Sequence, residues 1–214
     1  MSDEGKPDHG NLVPVGGGYL APVPSSNPLV SRGLADVEWE IYRFTFIDSL
    51  TGIHNKRALL EFLDHELARS ARHHLPLSLV RFDIDCFKAV NELGHLAGNH
   101  TLRELASLAK DAVRKEEMFA RYGGEEFVVV LPETNWDGGL QMAERLRHLV
   151  EAHDFQYEER DYKITISLGL IATEGDEAFT PNDLIKQADE KLYQAKRDGG
   201  NRVVSFTPES FDQD

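Results

Sequence analysis

The chain has 214 residues, of which 41% are hydrophobic, so it can bury the core of one ordinary globular domain and carry additional segments. Its 37 acidic residues outnumber its 23 basic ones, which leaves a net charge of -14. This balance argues against nucleic acid as a partner, because a nucleic-acid surface needs a basic stripe that displaces counterions from phosphates. An anionic ligand must therefore bind at a local site built from glycines, a few basic side chains or a metal.

Cysteine usage and hydropathy bear on the compartment. Cys86 is the only cysteine, which excludes an internal disulfide and is typical of a reducing compartment. No apolar run approaches the roughly 20 residues that a membrane-spanning helix needs. The first residues, MSDEGKPDHG, also lack the basic-then-apolar order of a signal peptide. We therefore expect a soluble cytoplasmic protein without a membrane partner.

The N-terminal part of the chain changes character at Ser31. Residues 1–30 are dense in Pro, Gly and Ser without a helical or strand period, which predicts a disordered tail, either a linker or a docking segment for a sensor or regulator. Beyond them, apolar residues recur at spacings of three and four: Leu34, Val37, Ile41 and Phe44. This spacing predicts an amphipathic helix over 31–47. Its apolar stripe serves either dimerisation or ordinary packing.

The rest of the chain alternates strands and helices. The patterns predict, in order, a helix at 56–74, a buried strand ending in RFDID, a short and a longer helix around a glycine turn at 94–98, and a hairpin of 118–121 with 126–131 that turns at Gly123-Gly124. A helix at 137–153, a strand pair across 155–171, a helix at 181–197 and a strand at 202–206 follow. We therefore predict an α+β domain over 48–206, with a central mixed or antiparallel sheet flanked by helices in a split-βαβ arrangement, and a tail over 207–214.

Two aspartates close the buried strand. Asp83 and Asp85 lie two positions apart, so a strand would project both from one face. Carboxylates at such a site suit Mg²⁺, which takes one or two of them together with substrate phosphates. Strand-end aspartates also serve as N-caps, and we assign that role to Asp85, ahead of Phe87, and metal binding to Asp83.

A glycine pair and two adjacent glutamates, YGGEEF, open the next apolar strand. Glycines let the backbone approach a ligand closely. Because neighbouring strand residues face opposite ways, Glu125 and Glu126 should not share one role. One can hold a metal with Asp83, and the other can act as a base on a reacting hydroxyl. Alone, such a hairpin is more often a solvated turn, but beside the aspartate pair it favours a functional site.

Four segments in this order resemble the GGDEF family of diguanylate cyclases: DSLTGIHNKR, FDIDCFKAVNELGHLAGN, RYGGEEF and ADEKLYQAKRDGGNRV. They span about Asp48 to Val204, and GGEEF is a variant of the family signature. The resemblance implies a nucleotidyl-cyclase-like core that condenses two GTP into cyclic di-GMP and releases pyrophosphate. Each 3′-hydroxyl attacks the α-phosphate of the other nucleotide, so a homodimer is implied.

The resemblance also implies roles by position. Asp83, the carbonyl of Ile84 and Glu126 would bind Mg²⁺, or Mn²⁺ in its place, and Glu125 would assist deprotonation of the 3′-hydroxyl. Lys88 and Lys196 would contact phosphates, where they and the metal neutralise charge that builds during phosphoryl transfer. Asn91 would read the guanine edge, because an amide both donates and accepts. The other implied substrate contacts are Phe87, Asn99, Gly123 and Gly124.

Two positions depart from the family pattern in the substrate region. Asn99 stands where the family has an aspartate that accepts from guanine. Because an amide also donates, ATP could become a substrate and mixed cyclic GMP-AMP a product; the alternative is weaker guanine binding only. Gly200 stands where the family has an arginine that contacts phosphate. One lost charge-assisted contact costs about 1.5–3 kcal/mol unless Arg197 or Arg202 substitutes for it.

The family's product-inhibition site is altered as well. Its R-x-x-D motif corresponds here to Arg114 and Glu117, with Arg121 as a further contact to cyclic di-GMP. Glutamate is one methylene longer than aspartate, so this site is weakened or absent, and as a motif it equally fits a solvated helix end. Two functions follow: an active cyclase, favoured by the intact acids, or a non-catalytic receptor for GTP or a cyclic dinucleotide, favoured by the altered positions.

Overall fold

The computed structural model describes the backbone of residues 12–15, 19–22, 31–175 and 179–206, and side chains from residue 39 onward within these ranges, except that of His95. The helices are α1 (Ser31–Phe46), α2 (Lys56–His73), α3 (Phe87–Glu92), α4 (His95–Lys110), α5 (Trp136–Ala152) and α6 (Pro181–Arg197). The strands are β1 (Leu12–Val15), β2 (Tyr19–Pro22), β3 (His54–Asn55), β4 (Leu77–Ile84), β5 (Met118–Gly123), β6 (Glu126–Pro132), β7 (Phe155–Tyr157), β8 (Arg160–Tyr162), β9 (Ile166–Thr173) and β10 (Val203–Ser205).

A six-stranded mixed sheet, in the order β10-β9-β4-β6-β5-β3, forms the centre of the domain. The two outer pairs, β10 with β9 and β3 with β5, are parallel, whereas the inner pairs are antiparallel. Helices α2 and α6 pack on one face, and α4 and α5 pack on the other. The predicted α+β class, with a mixed sheet flanked by helices, is confirmed.

Strand β4 explains how the two faces are built, because every residue of it is buried and its side chains alternate between the faces. Val80, Phe82 and Ile84 join the core on the α4/α5 face. Leu77 and Leu79 pack on the α2/α6 face. Residues 81 and 83 continue this second row, so the α2/α6 face becomes charged toward the end of the strand.

Helix α6 begins at a capping box. The Thr180 side chain accepts a hydrogen bond from the backbone N–H of Asp183, and the Asp183 carboxylate accepts from the backbone and hydroxyl of Thr180. Pro181 fits the first turn, where no intrahelical donor is needed. The helix then packs so closely on β9 that a Cβ at Gly169 would lie 2.1 Å from the Ala188 carbonyl oxygen. This packing fixes the position of the α6 C-terminal turn above the sheet.

Several local predictions differ from the structure. The β5–β6 hairpin turns at Gly124-Glu125, not at Gly123-Gly124, because Gly123 pairs with Glu126 after a register shift in β5. The glycine turn before α4 is confined to Gly94, and Gly98 lies inside the helix. The segment 155–171 contributes a separate β7–β8 hairpin in addition to β9. Strand β3 lies between the helices predicted over 31–47 and 56–74, where no strand was predicted.

The N-terminal segment also differs from its prediction where the structure describes it. Strands β1 and β2 pair antiparallel, with Leu12 opposite Pro22, although residues 1–30 were predicted to lack regular structure. Valine, tyrosine and leucine in these short runs have the side chains that strands favour. The rest of 1–30 and the predicted tail over 207–214 lie outside the described residues. Helix α1 ends one residue before the predicted limit of 47.

Candidate active site

The charged end of the α2/α6 face brings together β4, β6 and the last turn of α6. Asp83 and Glu126 are cross-strand neighbours in the β4–β6 register. Lys196 of α6 donates a hydrogen bond to Oδ2 of Asp83. Asp83 is only 8% exposed, and its other oxygen, Oδ1, is buried without a hydrogen-bond partner among the described residues. A buried carboxylate oxygen of this kind fits a site that receives a cation.

Burial raises the pKa of Asp83 from 3.8 to about 6, because the ionised carboxylate is removed from water. Lys196 opposes this rise through its hydrogen bond and its charge, whereas the nearby charges of Glu125 and Glu126 add to it. The three predicted acids are therefore close enough to interact electrostatically. A perturbed carboxyl group of this kind, with a specific charge partner, is typical of a functional site.

The predicted metal ligands comprise two carboxylates, Asp83 and Glu126, and one backbone carbonyl, that of Ile84. Within the described part of the chain, no group of three or more His, Cys, Asp or Glu side chains could hold a metal ion. These residues therefore do not form an all-protein cage. They do fit Mg²⁺, which usually binds through one or two carboxylates and takes its remaining ligands from substrate phosphates and water.

Arg81, which the sequence analysis did not identify, contacts this site from β4. Its Nη2 donates to Oε1 of Glu126 at 2.9 Å and lies 3.3 Å from Oδ1 of Asp189 on α6. The guanidinium carbon also lies 4.6 Å from the centre of the Tyr122 ring. A basic residue within a strand predicted to be buried was the signal in the sequence.

The turn between β5 and β6 carries Glu125, and the side chain of Arg121 holds the backbone of this turn. Gly124 has φ +50°, which favours glycine, and a Cβ at Gly123 or Gly124 would meet no atom within 4 Å. Arg121 donates to the Gly124 carbonyl at 2.9 and 2.7 Å and to Asp48 at 3.1 Å. Hydrogen bonds from Arg121 thus fix the backbone of the turn, and the space next to its two glycines is open. Glu125 lies in the turn, so the expectation that strand alternation separates it from Glu126 is wrong.

The residues predicted for substrate contact flank the junction of α3 and α4. Asn91 is half-buried, and a Cβ at Gly98 would lie 2.0 Å from its Oδ1, so Gly98 leaves the space that this amide occupies. Lys88 and Asn99 are exposed on α3 and α4. Phe87 is 6% exposed and belongs to the core, so only its backbone is left for a ligand.

Asp85 does not cap α3, which corrects its predicted role. Its carboxylate accepts from Thr165 at 2.7 Å, from Ser167 at 2.6 Å and from the backbone N–H of Asn201 at 2.9 Å. The N-cap of α3 is Cys86, a left-handed residue that makes no side-chain cap bond. Asp85 instead ties the α6–β10 turn to the sheet, and a Cβ at Gly200 would lie 3.1 Å from its carboxylate atoms.

The residues predicted for product inhibition separate into two environments. Glu117 is 7% exposed and accepts from the backbone N–H of Arg114 at 2.7 Å, whereas the Arg114 side chain is exposed. Both line a cavity of about 1070 Å³ together with Trp39 and Arg43 of α1. Arg121 does not line this cavity, although its partner Asp48 does, and its guanidinium also donates to the Gly124 carbonyl.

The fold and the acid-bearing hairpin define the class of protein, and comparison with known sequences agrees. Residues 45–202 match the family described as "Diguanylate cyclase, GGDEF domain". The chain therefore belongs to the GGDEF family, and the resemblance inferred from the four motifs is confirmed.

Individual relatives agree with this assignment. The chain is 43% identical over 157 residues to the diguanylate cyclase DgcP of Pseudomonas aeruginosa. The matched segment is 73% of this chain and 23% of DgcP. It is 42% identical over 160 residues to the response regulator PleD of Caulobacter vibrioides. That matched segment is 73% of this chain and 35% of PleD. The coiled coil and GGDEF domain of DgcB from Caulobacter crescentus, solved with c-di-GMP, superposes with a TM-score of 0.76 at 27% identity, over 82% of this chain and 93% of that one.

None of the helices in the described residues has both the length and the apolar character required to span a bilayer.

Proposed function

We propose that this chain is a diguanylate cyclase that condenses two GTP into cyclic di-GMP and pyrophosphate. The observation that carries the proposal is the buried Asp83 carboxylate, which lies beside Glu126 and Lys196 and whose pKa is raised by burial and by the nearby charges of Glu125 and Glu126. The names of the relatives support the same activity. Burying one carboxylate close to two others costs free energy, so a purely structural role would not favour this arrangement.

The side chains divide the chemistry between them. Asp83, Glu126 and the Ile84 carbonyl would hold Mg²⁺, or Mn²⁺, which supplies charge neutralisation at the phosphates when bound. Lys196 donates a hydrogen bond to Asp83 and would turn to a phosphate oxygen of a bound nucleotide, and the exposed Lys88 would reach the same group from α3. Glu125, at the open turn, would accept the proton of the attacking 3′-hydroxyl.

The reaction needs two such domains face to face, because each nucleotide supplies the nucleophile for the other. Helix α1 supports pairing between two copies of the chain. It exposes Phe44 at 85% and Ile41 at 60%, which is unusual for apolar side chains on a helix that also packs on α2. We propose a homodimer through α1, with the N-terminal segment as a docking region for a sensor or regulator and a cytoplasmic location.

Base selectivity depends on Asn99. Its exposed amide, one residue from the Gly98 that makes room for Asn91, offers both a donor and an acceptor to a base. We propose that ATP is accepted beside GTP and that mixed cyclic GMP-AMP forms in addition to cyclic di-GMP.

A second candidate is a receptor for GTP or a cyclic dinucleotide that signals through protein contacts. Gly200 favours it, because a glycine with φ +73° beside Asp85 supplies no basic side chain at the family's phosphate-contacting position. The cavity lined by Arg114 is large enough for a nucleotide. The retained acids favour the enzyme.

Mass-resolved product analysis of the purified chain with Mg²⁺ and GTP, and then with equal GTP and ATP, tests these proposals. We expect cyclic di-GMP from GTP, loss of at least about 100-fold in turnover for Glu125→Gln, and unchanged turnover for Glu133→Gln, a surface glutamate paired with Arg69. Chelation of the metal should stop turnover, and Mn²⁺ should restore it. No product, even from a chain dimerised by a fused coiled coil, would instead favour the receptor.

The nucleotide mixture tests the selectivity. We expect mixed product from the wild type and only cyclic di-GMP from Asn99→Asp, because a carboxylate accepts from guanine but offers no donor to adenine. Cyclic di-GMP alone from both proteins would show that Asn99 still enforces guanine.

A further inference from the structure

We propose that Arg81 is a positioning residue that holds Glu126 in the orientation required for the metal. This inference rests on the proposed cyclase function. It assigns a role to a side chain that lies behind the metal-binding carboxylates rather than among the groups that touch substrate.

The surroundings of Arg81 leave it little freedom. The residue is 7% exposed and is held by Glu126 on the neighbouring strand, by Asp189 on α6 and by the face of Tyr122 on β5. Its Nε is buried without a hydrogen-bond partner among the described residues, and its contacts with Glu126 and Asp189 are both made by Nη2. An arginine fixed from three elements can orient the carboxylate that it binds, because a planar guanidinium donates in fixed directions.

In each of the two carboxylates, one oxygen accepts a hydrogen bond from a basic side chain. Arg81 binds Oε1 of Glu126, and Lys196 binds Oδ2 of Asp83. Oδ1 of Asp83 and Oε2 of Glu126 accept no hydrogen bond from the described residues. These residues are paired in register on adjacent strands, so one oxygen from each remains for a shared cation. Lys196 can be displaced toward a phosphate because its side chain is partly exposed, but Arg81 is buried and stays in place.

A purely structural role for Arg81 is a weak alternative. Two residues earlier on the same face, Leu79 fills the equivalent inward position with an apolar side chain. A buried arginine must be desolvated, and a well-packed apolar residue often stabilises such a position at least as well. We therefore attribute the arginine at this position, within hydrogen-bond distance of Glu126, to its effect on that carboxylate. Partners of metal-binding carboxylates typically change metal affinity by about 10–100-fold when they are removed.

The test is direct binding of Mn²⁺, followed by electron paramagnetic resonance, to the full chain with α,β-methylene-GTP, an analogue that cannot be cyclised. We expect Arg81→Met to weaken Mn²⁺ binding by about 10–100-fold. Arg81→Lys keeps the charge but loses the planar guanidinium that donates in a fixed direction, so it should fall between Arg81→Met and the wild type. Asp189→Asn removes one anchor of Arg81 and should weaken binding less than Arg81→Met. Glu126→Gln, which removes a ligand, sets the scale for full loss.

Several outcomes would overturn the inference. Tighter Mn²⁺ binding by Arg81→Met would mean that Arg81 competes with the cation. Unchanged binding with an altered melting temperature would mean that its role is structural. If Arg81→Met fails to fold, as judged by circular dichroism, Arg81→Lys decides between the same outcomes. A wild type that neither binds Mn²⁺ nor makes cyclic di-GMP would contradict the proposed function itself, whereas an active wild type with unaffected variants contradicts only the role of Arg81.

Discussion

The two faces of the central sheet receive different side chains from the same strand. On the α4/α5 face, β4 presents Val80, Phe82 and Ile84, and all of them are buried among apolar neighbours. On the α2/α6 face it presents leucines at first and then Arg81 and Asp83. Both faces are equally removed from water, but only one carries charge. The apolar row therefore gains free energy from burial, whereas burial of the charged end costs free energy that the rest of the sheet must offset.

Burial stabilises the folded state at Phe82 but has a free-energy cost at Asp83. Phe82 stacks with Phe119 and Phe127, with ring centroids 5.3–6.1 Å apart, so the α4/α5 face gains from both burial and aromatic contact. One position farther along β4, burial of Asp83 disfavours its charged form. Removing the Phe82 ring and removing the charge of Asp83 should therefore change stability in opposite directions.

The largest expected effect is on the apolar face. Phe82→Ala should lower the free energy of unfolding by about 3–5 kcal/mol, because it removes a fully buried ring from an aromatic cluster and leaves a cavity. Guanidinium unfolding followed by circular dichroism measures this loss. Val80→Ala, on the same face, should cost less because it removes fewer atoms. A loss below about 1 kcal/mol for Phe82→Ala would show that the cluster collapses around the gap.

The opposite sign is expected for Asp83→Asn at neutral pH. The folded-state pKa of about 6 lies above the usual 3.8, so the stability linked to Asp83 is fully present below about pH 3.8 and is lost as the pH rises through 6. The variant cannot ionise, so at pH 8, without metal, it should be more stable than the wild type by up to about 3 kcal/mol. The difference should vanish near pH 4.

Unfolding of both proteins at several pH values, with the difference taken at each, isolates this residue from the other acids. A difference that is constant with pH would contradict the raised pKa. The variant should also lose cyclase turnover, because it lacks a metal ligand.

A smaller effect is expected where α6 meets the sheet. Gly169→Ala should destabilise the domain by about 1–3 kcal/mol, because its Cβ would meet the backbone of Ala188 and Leu192 at 2.1 and 2.5 Å. Since α6 carries Lys196 and Asp189, its displacement should also reduce turnover. Ala172→Ser, at a half-buried position of the same strand, serves as a control. Retention of full stability would show that α6 can shift on β9 without cost.

The smallest effect is expected in the α6–β10 turn. Gly200→Ala should cost about 1 kcal/mol, because a side chain is strained at φ +73° and its Cβ would lie 3.1 Å from the Asp85 carboxylate. Gly123→Ala, at a position without positive φ and with open space around it, should leave the melting temperature unchanged. Equal shifts in the two variants would mean that the geometry around Asp85 does not limit residue 200.

The sequence by itself determined most of the fold and the identity of the acids. The apolar run that ends in RFDID, the helical pattern at 181–197 and the glycine pair of the hairpin are local signals, because each depends on residues a few positions apart. The family followed from motifs whose order along the chain is itself information. The roles assigned to the site residues from these motifs stay predictions that the experiments above test.

Only the tertiary structure decided which groups meet. Asp85 binds the turn at Asn201, 116 residues away, instead of capping the adjacent helix, and Arg121 binds Asp48, 73 residues away. The pairing of Arg81 with Glu126 likewise depends on the β4–β6 register. A side chain near the end of a strand can serve a local cap or a distant partner with similar energy. The choice is made by packing of the whole sheet, because burial makes it costly to leave any polar group without a partner.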